Sequence, residues 1–218
     1  MTYDDVRKDE AVNVYIKSAD EALVALGYTE HSFVHVTHVA RTAGEILEKL
    51  GHPKRVQELA MIAGHLHDIG NLINRVAHAQ SGALMAFHIL GRLGFDPKEI
   101  ATITSAIGNH DEATAVAVNP VAAALILADK TDVRRSRVRN QETATFDIHD
   151  RVNYSVRDAA LEICAEAATI ELRLDFDTKY SSVMDWFEIF IDRMSLCRKA
   201  AKTLGLTFQL TINGHMMM

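Results

Sequence analysis

The sequence predicts a mostly α-helical protein, a helical bundle that carries a small C-terminal α+β unit of ββαβ order. Two observations predict this. Up to about residue 139, apolar side chains recur at three- and four-residue spacing between helix caps and stop signals. Beyond residue 155 the period changes, and two segments alternate apolar and polar residues as half-buried strands do. With 48% hydrophobic and 24% charged residues in 218, the chain is neither disordered nor fibrous.

Local signals mark the ends of six predicted helices. Gly27, Gly51 and Gly94 follow apolar stripes, and glycine readily adopts the conformation that ends a helix. Each of the three prolines fits a first helical position, where its missing N–H costs nothing. The predicted helices cover about Asp5–Leu26, Ser32–Leu50, Pro53–Gly70 and His78–Leu93, followed by one that opens at Asp96-Pro97 and one that opens at Asn119-Pro120.

The C-terminal part is predicted as two strands with a helix between them and one further strand. Ile170–Phe176 and Leu206–Ile212 alternate, and a helical stripe runs from Val183 to Ala201. Since a lone strand pair is marginally stable, a third strand is expected near Ala159–Ile163, although that segment would also form a helix. Residues Arg134–Tyr154 lack periodicity and are predicted as a long ordered loop. The predicted division is therefore a helical domain at 1–140 and a loop with the α+β unit at 141–218.

Charge and composition exclude several partners. The net charge of −6 gives no electrostatic footprint for nucleic acid, and no apolar run approaches the roughly 20 residues that cross a bilayer. The two cysteines form no CxxC pair and no signal peptide precedes them, which predicts a reducing, cytoplasmic location. A homodimer contact through the C-terminal unit is possible.

Histidines and aspartates at particular helix positions predict a metal site. His35 lies among valines in mid-helix, His67-Asp68 ends the third helix, and Asp129 closes an apolar run. A buried ionised carboxylate is expensive unless it is paired or bound to a metal. Imidazole nitrogen and carboxylate oxygen together suit Mn, Fe, Zn, Ni or Co better than Ca.

The segments "HVTHVA", "AGHLHDIGN" and "ILADKTD" carry these residues in the order H…HD…D. In that pattern, over about residues 31–139, the chain resembles the HD superfamily of metal-dependent phosphohydrolases. The resemblance implies His35, His67, Asp68 and Asp129 as ligands of a first metal ion. It also implies that Asp68 can bridge to a second ion.

Two further histidines are similar to the second-metal ligands of the dinuclear branch. His78 opens "HAQSGA" and His110 closes "AIGNH", so the resemblance implies one or two ions. Asn71 stands where many members have lysine, and the GYP signature of the cyclic-dinucleotide phosphodiesterases is absent after His110. That branch is disfavoured.

The predicted substrate-binding residues are Lys130, Arg134, Arg135, His38 and Asn71. If the last helix continues past Asp129, the basic run lies one to two turns from the metal, and arginine forks match phosphate oxygens. The basic run could equally be a solvated helix end, and His38 could equally be a surface residue. The segment "FDIHD" at 146–150 could fold over the site.

The leading hypothesis is hydrolysis of a small phosphorylated compound, of which a nucleotide is one candidate, with Asp68 orienting or deprotonating the attacking water. Two alternatives stay open. The six-ligand set also occurs in HD-fold di-iron oxygenases, and a non-enzymatic nucleotide-binding sensor would use the same fold.

Overall fold

The computed structural model describes residues 1–140 and 142–218, and helices fill its N-terminal part. Short 3-10 turns at Ile69–Leu72, Arg135–Arg137 and Thr143–Thr145 connect some of the elements. The helices of this part are α1 (Tyr3–Lys8), α2 (Glu10–Ala25), α3 (Phe33–Lys49), α4 (Lys54–Leu66), α5 (His78–Arg92), α6 (Pro97–Gly108) and α7 (Pro120–Lys130). The C-terminal part contains α8 (Ile148–Ser155), β1 (Val156–Cys164), β2 (Thr169–Phe176), α9 (Val183–Thr203), β3 (Thr207–Ile212) and β4 (His215–Met216). The predicted fold class, a helical bundle with a ββαβ unit, is confirmed.

The predicted N-terminal caps are present. Side-chain oxygens of Ser32, Asp96 and Asn119 accept hydrogen bonds from backbone N–H groups in the first turns of α3, α6 and α7. Each cap satisfies a donor that has no partner inside its helix. Gly27, Gly51 and Gly94 all have positive φ after the helix they follow, as the stop signals predicted.

Helix α7 is the centre of the bundle. Each of its residues from Val121 to Ala128 is buried, and the helix packs against α3, α4, α6 and α9. A helix that is apolar on all sides belongs in the interior. The polar residues that end it, Asp129 and Lys130, are therefore also buried.

The sheet has the strand order β1-β2-β3-β4. Strands β1 and β2 pair antiparallel, and β2 and β3 pair parallel through the α9 crossover. Alternate residues of β2 and β3, such as Leu172 and Leu210, are buried on one face. Because α9 packs on both β3 and α7, the C-terminal unit shares a core with the bundle.

Four sequence expectations need correction. The segment predicted as one first helix forms two helices, α1 and α2, because the Asp9 side chain caps the N-terminus of α2 and α1 ends at Lys8. The third predicted helix, which is α4 in the structure, ends at Leu66 rather than Gly70. Pro53 is its N-cap residue rather than its first helical residue. Segment 156–164 is a strand, so the alternative of a helix there is wrong. The loop expected at 134–154 contains most of α8. The predicted domain boundary after residue 140 stays a prediction and falls at Gln141, outside the described residues.

Across the described residues, no helix is both long and apolar enough to cross a membrane.

Helices α3 and α4 approach each other at Gly64. A Cβ added there would lie 2.8 Å from the Cα and backbone nitrogen of Ala40, so the two backbones would have to separate. We expect Gly64→Ala to lower the free energy of unfolding by about 1–3 kcal/mol, a typical cost of overpacking. The measurement is urea denaturation followed by circular dichroism.

The matched control is Gly91→Ala in α5, where an added Cβ meets nothing within 4 Å. Alanine there is expected to stabilise the helix by up to about 0.5–1 kcal/mol. Equal effects of the two substitutions would contradict the close approach at Gly64.

Candidate metal centre

Six buried side chains from five helix ends or faces converge at one end of α7. Two of them come from the same place in the chain, where α4 ends and a 3-10 turn begins. The six are His35 in α3, His67 and Asp68 after α4, His78 at the start of α5, His110 after α6, and Asp129 in the last turn of α7. These are the residues that the sequence predicted as metal ligands, and the fold brings all six together.

One half of this cluster pairs two imidazoles with two carboxylates. The Nε2 atom of His35 lies 3.6 Å from Asp68 Oδ2 and 3.4 Å from Asp129 Oδ1. The Nε2 atom of His67 lies 3.2 Å and 3.7 Å from the same two oxygens. Four donor atoms therefore surround one point.

The other half uses the second oxygen of Asp68. Its Oδ1 atom lies 3.6 Å from His78 Nε2 and 3.9 Å from His110 Nε2. The two Nε2 atoms are 3.2 Å apart. Asp68 thus stands between the two halves, with one oxygen toward each.

The four histidines share an orientation that turns Nε2 inward. In each ring Nδ1 donates to an acceptor outside the cluster, which leaves the Nε2 lone pair directed at the centre. The acceptors are Asp132 Oδ2 for His35 (2.7 Å), Gly64 O for His67 (2.8 Å), Arg75 O for His78 (3.1 Å) and Ile107 O for His110 (2.6 Å). Metal-binding histidines are held in this way, because the outer hydrogen bond fixes both the tautomer and the ring plane.

The residues present fit a divalent metal ion. The Nε2 atoms of His35 and His67 are buried and make no hydrogen bond, and an orphaned buried nitrogen is costly. Two sets of donor atoms lie close enough for one ion each: His35, His67 and Asp129, and His67, Asp68 and His110. A mixed set of imidazole and carboxylate donors is typical of transition-metal sites.

Electrostatics hold Asp68 and Asp129 ionised and His110 neutral, which are the states in which these groups bind a metal. Burial raises the pKa of Asp68 and Asp129, but the neighbouring His67 and Lys130 cations outweigh it and hold both pKa values well below the usual range. Burial lowers the pKa of His110 well below its ordinary value, so that ring is neutral. Burial also lowers the pKa of His67, but Asp68 and Asp129 outweigh it and raise that pKa to about 10 in the metal-free protein. A metal bound at this point would therefore replace a proton on His67.

Asn71 and Asp132 hold the cluster from outside. The Asn71 Nδ2 group donates to the Asp68 backbone oxygen (2.9 Å) and to its Oδ1 atom (3.0 Å), so Asn71 fixes the carboxylate. Asp132 was missed by sequence reasoning, although it is the last letter of "ILADKTD". Its carboxylate binds His35 and is itself held by Arg134 Nη2 at 2.9 Å.

A cavity of about 350 Å³ opens beside the cluster. Asp68, His78, His110 and Asp129 form one wall, and Lys130 lies next to them. The segment that could fold over the site contributes to this cavity, because Asp147, His149 and Asp150 line it together with residues of α9. Three cations of this lining were not predicted as site residues: Arg75, Arg137 and Arg193.

Arg134, Arg135 and His38 do not line this cavity. Helix α7 ends at Lys130 and the chain turns at Thr131, so the expectation that the helix continues to Arg134 is wrong. The Arg135 guanidinium instead stacks on the Tyr154 ring at 4.4 Å. His38 is exposed on α3.

A helical fold with buried His and Asp donors around one point defines a metal-centre protein, and comparison with known proteins identifies its class. The family model of the HD domain matches residues 32–145. The chain belongs to this family, whose members are metal-dependent phosphohydrolases that bind divalent ions. The uncharacterized protein MJ1020 of Methanocaldococcus jannaschii is 29% identical over 185 residues, which cover 74% of this chain and 69% of that protein. A crystal structure of a predicted HD superfamily hydrolase from an uncultured Thermotogales bacterium aligns with a TM-score of 0.46 and 25% identity, over 57% of this chain and 67% of that one.

Asp132→Asn tests whether the hydrogen bond from His35 Nδ1 to the Asp132 carboxylate contributes to metal binding. The neutral amide is a weaker acceptor for His35 Nδ1–H, so the ring becomes less basic and less well oriented. We expect metal affinity to fall by about 10- to 100-fold, the usual cost of losing such a partner. Competition with a chelating dye measures the affinity. Asp175→Asn, at an exposed carboxylate on β2, is the control and should bind metal as the wild type does.

Proposed function

We propose that this protein is a metal-dependent phosphohydrolase that acts on a small phosphorylated compound and transfers the phosphoryl group to water. The observation that carries the proposal is the inward orientation of four Nε2 atoms around Asp68 and Asp129. A nucleotide is one substrate of suitable size for a cavity of about 350 Å³. Nucleic acid and membranes are not proposed as partners, and a homodimer and a cytoplasmic location stay predictions.

In this proposal His35, His67, Asp68 and Asp129 hold one ion. His78, His110 and the second oxygen of Asp68 hold another. Mn, Fe, Zn, Ni and Co all suit the donor set. Such ions act as Lewis acids and lower the pKa of water toward about 7.

The chain's own groups supply the rest of the reaction. Asp68 orients the attacking water and accepts its proton, and Asn71 keeps the carboxylate in place for this task. The water oxygen forms a bond to phosphorus as the ester P–O bond breaks, and the leaving oxygen takes up the proton that Asp68 accepted, giving inorganic phosphate and an alcohol. Lys130 and the cavity arginines balance the charge on the phosphoryl oxygens. The side chains of the α8 segment cover the opening and limit access of bulk water.

A second candidate uses the same ligands differently. The two-part cluster around Asp68 also suits a di-iron oxygenase, because each half offers nitrogen and carboxylate donors. That reaction would consume oxygen together with its substrate, whereas hydrolysis consumes only water.

The experiment is a phosphatase screen on protein that has been stripped with a chelator and reloaded with each of the five metals. We expect phosphate release from at least one phosphomonoester that depends on the metal and disappears in Asp68→Ala. Iron content with substrate-dependent oxygen uptake and no phosphate release would overturn the proposal in favour of the oxygenase. Tight nucleotide binding without any turnover would overturn it in favour of a sensor.

A further inference from the structure

We propose that α9 of the C-terminal unit supplies the phosphate-binding group of this cavity, and that the group is the guanidinium of Arg193. The inference rests on the proposed function and deepens it, because it assigns the substrate as a phosphomonoester whose dianionic end meets an arginine fork. Arg193 lies 64 residues beyond Asp129, the last candidate metal ligand in the chain, and the packing of α9 on α7 brings it to the cavity.

Two contacts hold the Arg193 guanidinium in place. Its Nε atom forms an ion pair with Glu112 Oε1 at 2.6 Å, and its Cζ atom lies 4.9 Å from the centre of the Phe190 ring. Among the described residues, neither Nη atom makes a hydrogen bond. The side chain is about one-third exposed and lines the cavity. The end of the fork that matches two phosphate oxygens is therefore free, while the rest is held still.

Glu112 links Arg193 to the metal centre. The Lys130 Nζ atom lies 3.5 Å from the same Oε1 atom of Glu112 and 2.7 Å from Asp129 Oδ2. A series of ion pairs therefore links Arg193 through Glu112 and Lys130 to Asp129, which is a candidate metal ligand. A phosphate held by the Nη pair would lie on the Asp129 side of the cluster.

Basic side chains lie close to the cluster in a cavity lining that also contains Asp147 and Asp150. Arg193 and Lys130 share one carboxylate, Glu112, and Lys130 also pairs with Asp129. On the other side of the cluster, Arg75 Nη1 lies 3.4 Å from His78 Nε2. Cations therefore lie on both sides of the cluster, within a protein of net charge −6 that otherwise repels anions.

Arg193 is the informative position for a test. A Lys130 variant would also disturb Asp129, whereas Arg193 contacts none of the six candidate metal ligands. Arg193→Gln keeps much of the stem and removes the charge, and Arg193→Lys keeps the charge and removes the fork. The matched control is Arg198→Gln, which lies on the same helix, is exposed, and does not line the cavity.

The first measurement is calorimetric titration of the metal-loaded full-length protein with inorganic phosphate. We expect Arg193→Gln to raise the Kd at least tenfold with unchanged metal content. Arg193→Lys should lie between Arg193→Gln and the wild type, and Arg198→Gln should match the wild type. On a phosphomonoester from the screen, the KM of Arg193→Gln should rise more than kcat falls.

The outcomes separate this inference from the proposed function. Unchanged Kd and KM in Arg193→Gln would overturn the inference while leaving a working phosphohydrolase. A wild-type protein that does not bind phosphate would also overturn it. Phosphate binding that is lost in Arg193→Gln, in a protein that hydrolyses nothing, would support the anion site and overturn the proposed hydrolysis.

Discussion

Asp68→Ala and His67→Ala are each expected to lose bound metal while the helical bundle stays folded. Asp68 offers one oxygen to each half of the cluster, so its removal weakens both halves at once. His67 approaches both Asp68 and Asp129 in one half, so its removal leaves that half without a central donor. The bundle survives because its core is the apolar interior around α7, which needs no metal to hold it together.

The measurement is elemental analysis of the purified variants, with far-ultraviolet circular dichroism as the check on folding. His88→Ala is the control, because His88 is exposed on α5 and lies outside the cluster. It should retain the full metal content. Full metal occupancy in either Asp68→Ala or His67→Ala would contradict the proposed ligands.

His110→Ala is expected to keep one metal ion per chain where the wild type holds two, and to lose most activity. His78 and His110 bring their Nε2 lone pairs to 3.2 Å of each other, since both Nδ1 atoms already donate to backbone oxygens. Two lone pairs at that distance repel unless a cation lies between them or beside them. The half that contains His110 shares Asp68, and its other nearby carboxylate is the partly exposed Asp111, whose Oδ1 lies 3.9 Å from His78 Nε2, so we expect its ion to be the more weakly bound.

Titration with metal and turnover of a phosphomonoester test this expectation together. The His88→Ala protein again serves as the control for an unrelated histidine. A His110→Ala protein with two ions, or with unchanged turnover, would show that the second half of the cluster does not bind a functional ion. A wild-type protein that never binds more than one ion would show the same.

Much of the fold could be predicted from the sequence because helix caps, helix stops and strand alternation depend on residues that are close together in the chain. The caps at Ser32, Asp96 and Asn119 act within one helical turn, and so does the stop at Gly94. The alternation at 170–176 reflects one buried sheet face. The prediction was less complete where a tertiary partner contributes. The Asp9 carboxylate that caps α2 is also held by Arg92 of α5, and β1 exists because β2 pairs with it.

The helical bundle and the ββαβ order could be predicted from the sequence because each is set by neighbours a few positions away. The six His and Asp residues were predicted from the resemblance of their motifs to the HD superfamily. Tertiary structure alone decided which other residues join the site. Arg134 follows Asp129 in the chain, yet it turns to Asp132 because α7 ends at Lys130. Arg193 is remote in the chain, yet it lines the cavity because α9 buries its apolar face on α7. Proximity along the chain predicts proximity in space only while a helix or strand continues, and packing between elements sets the rest.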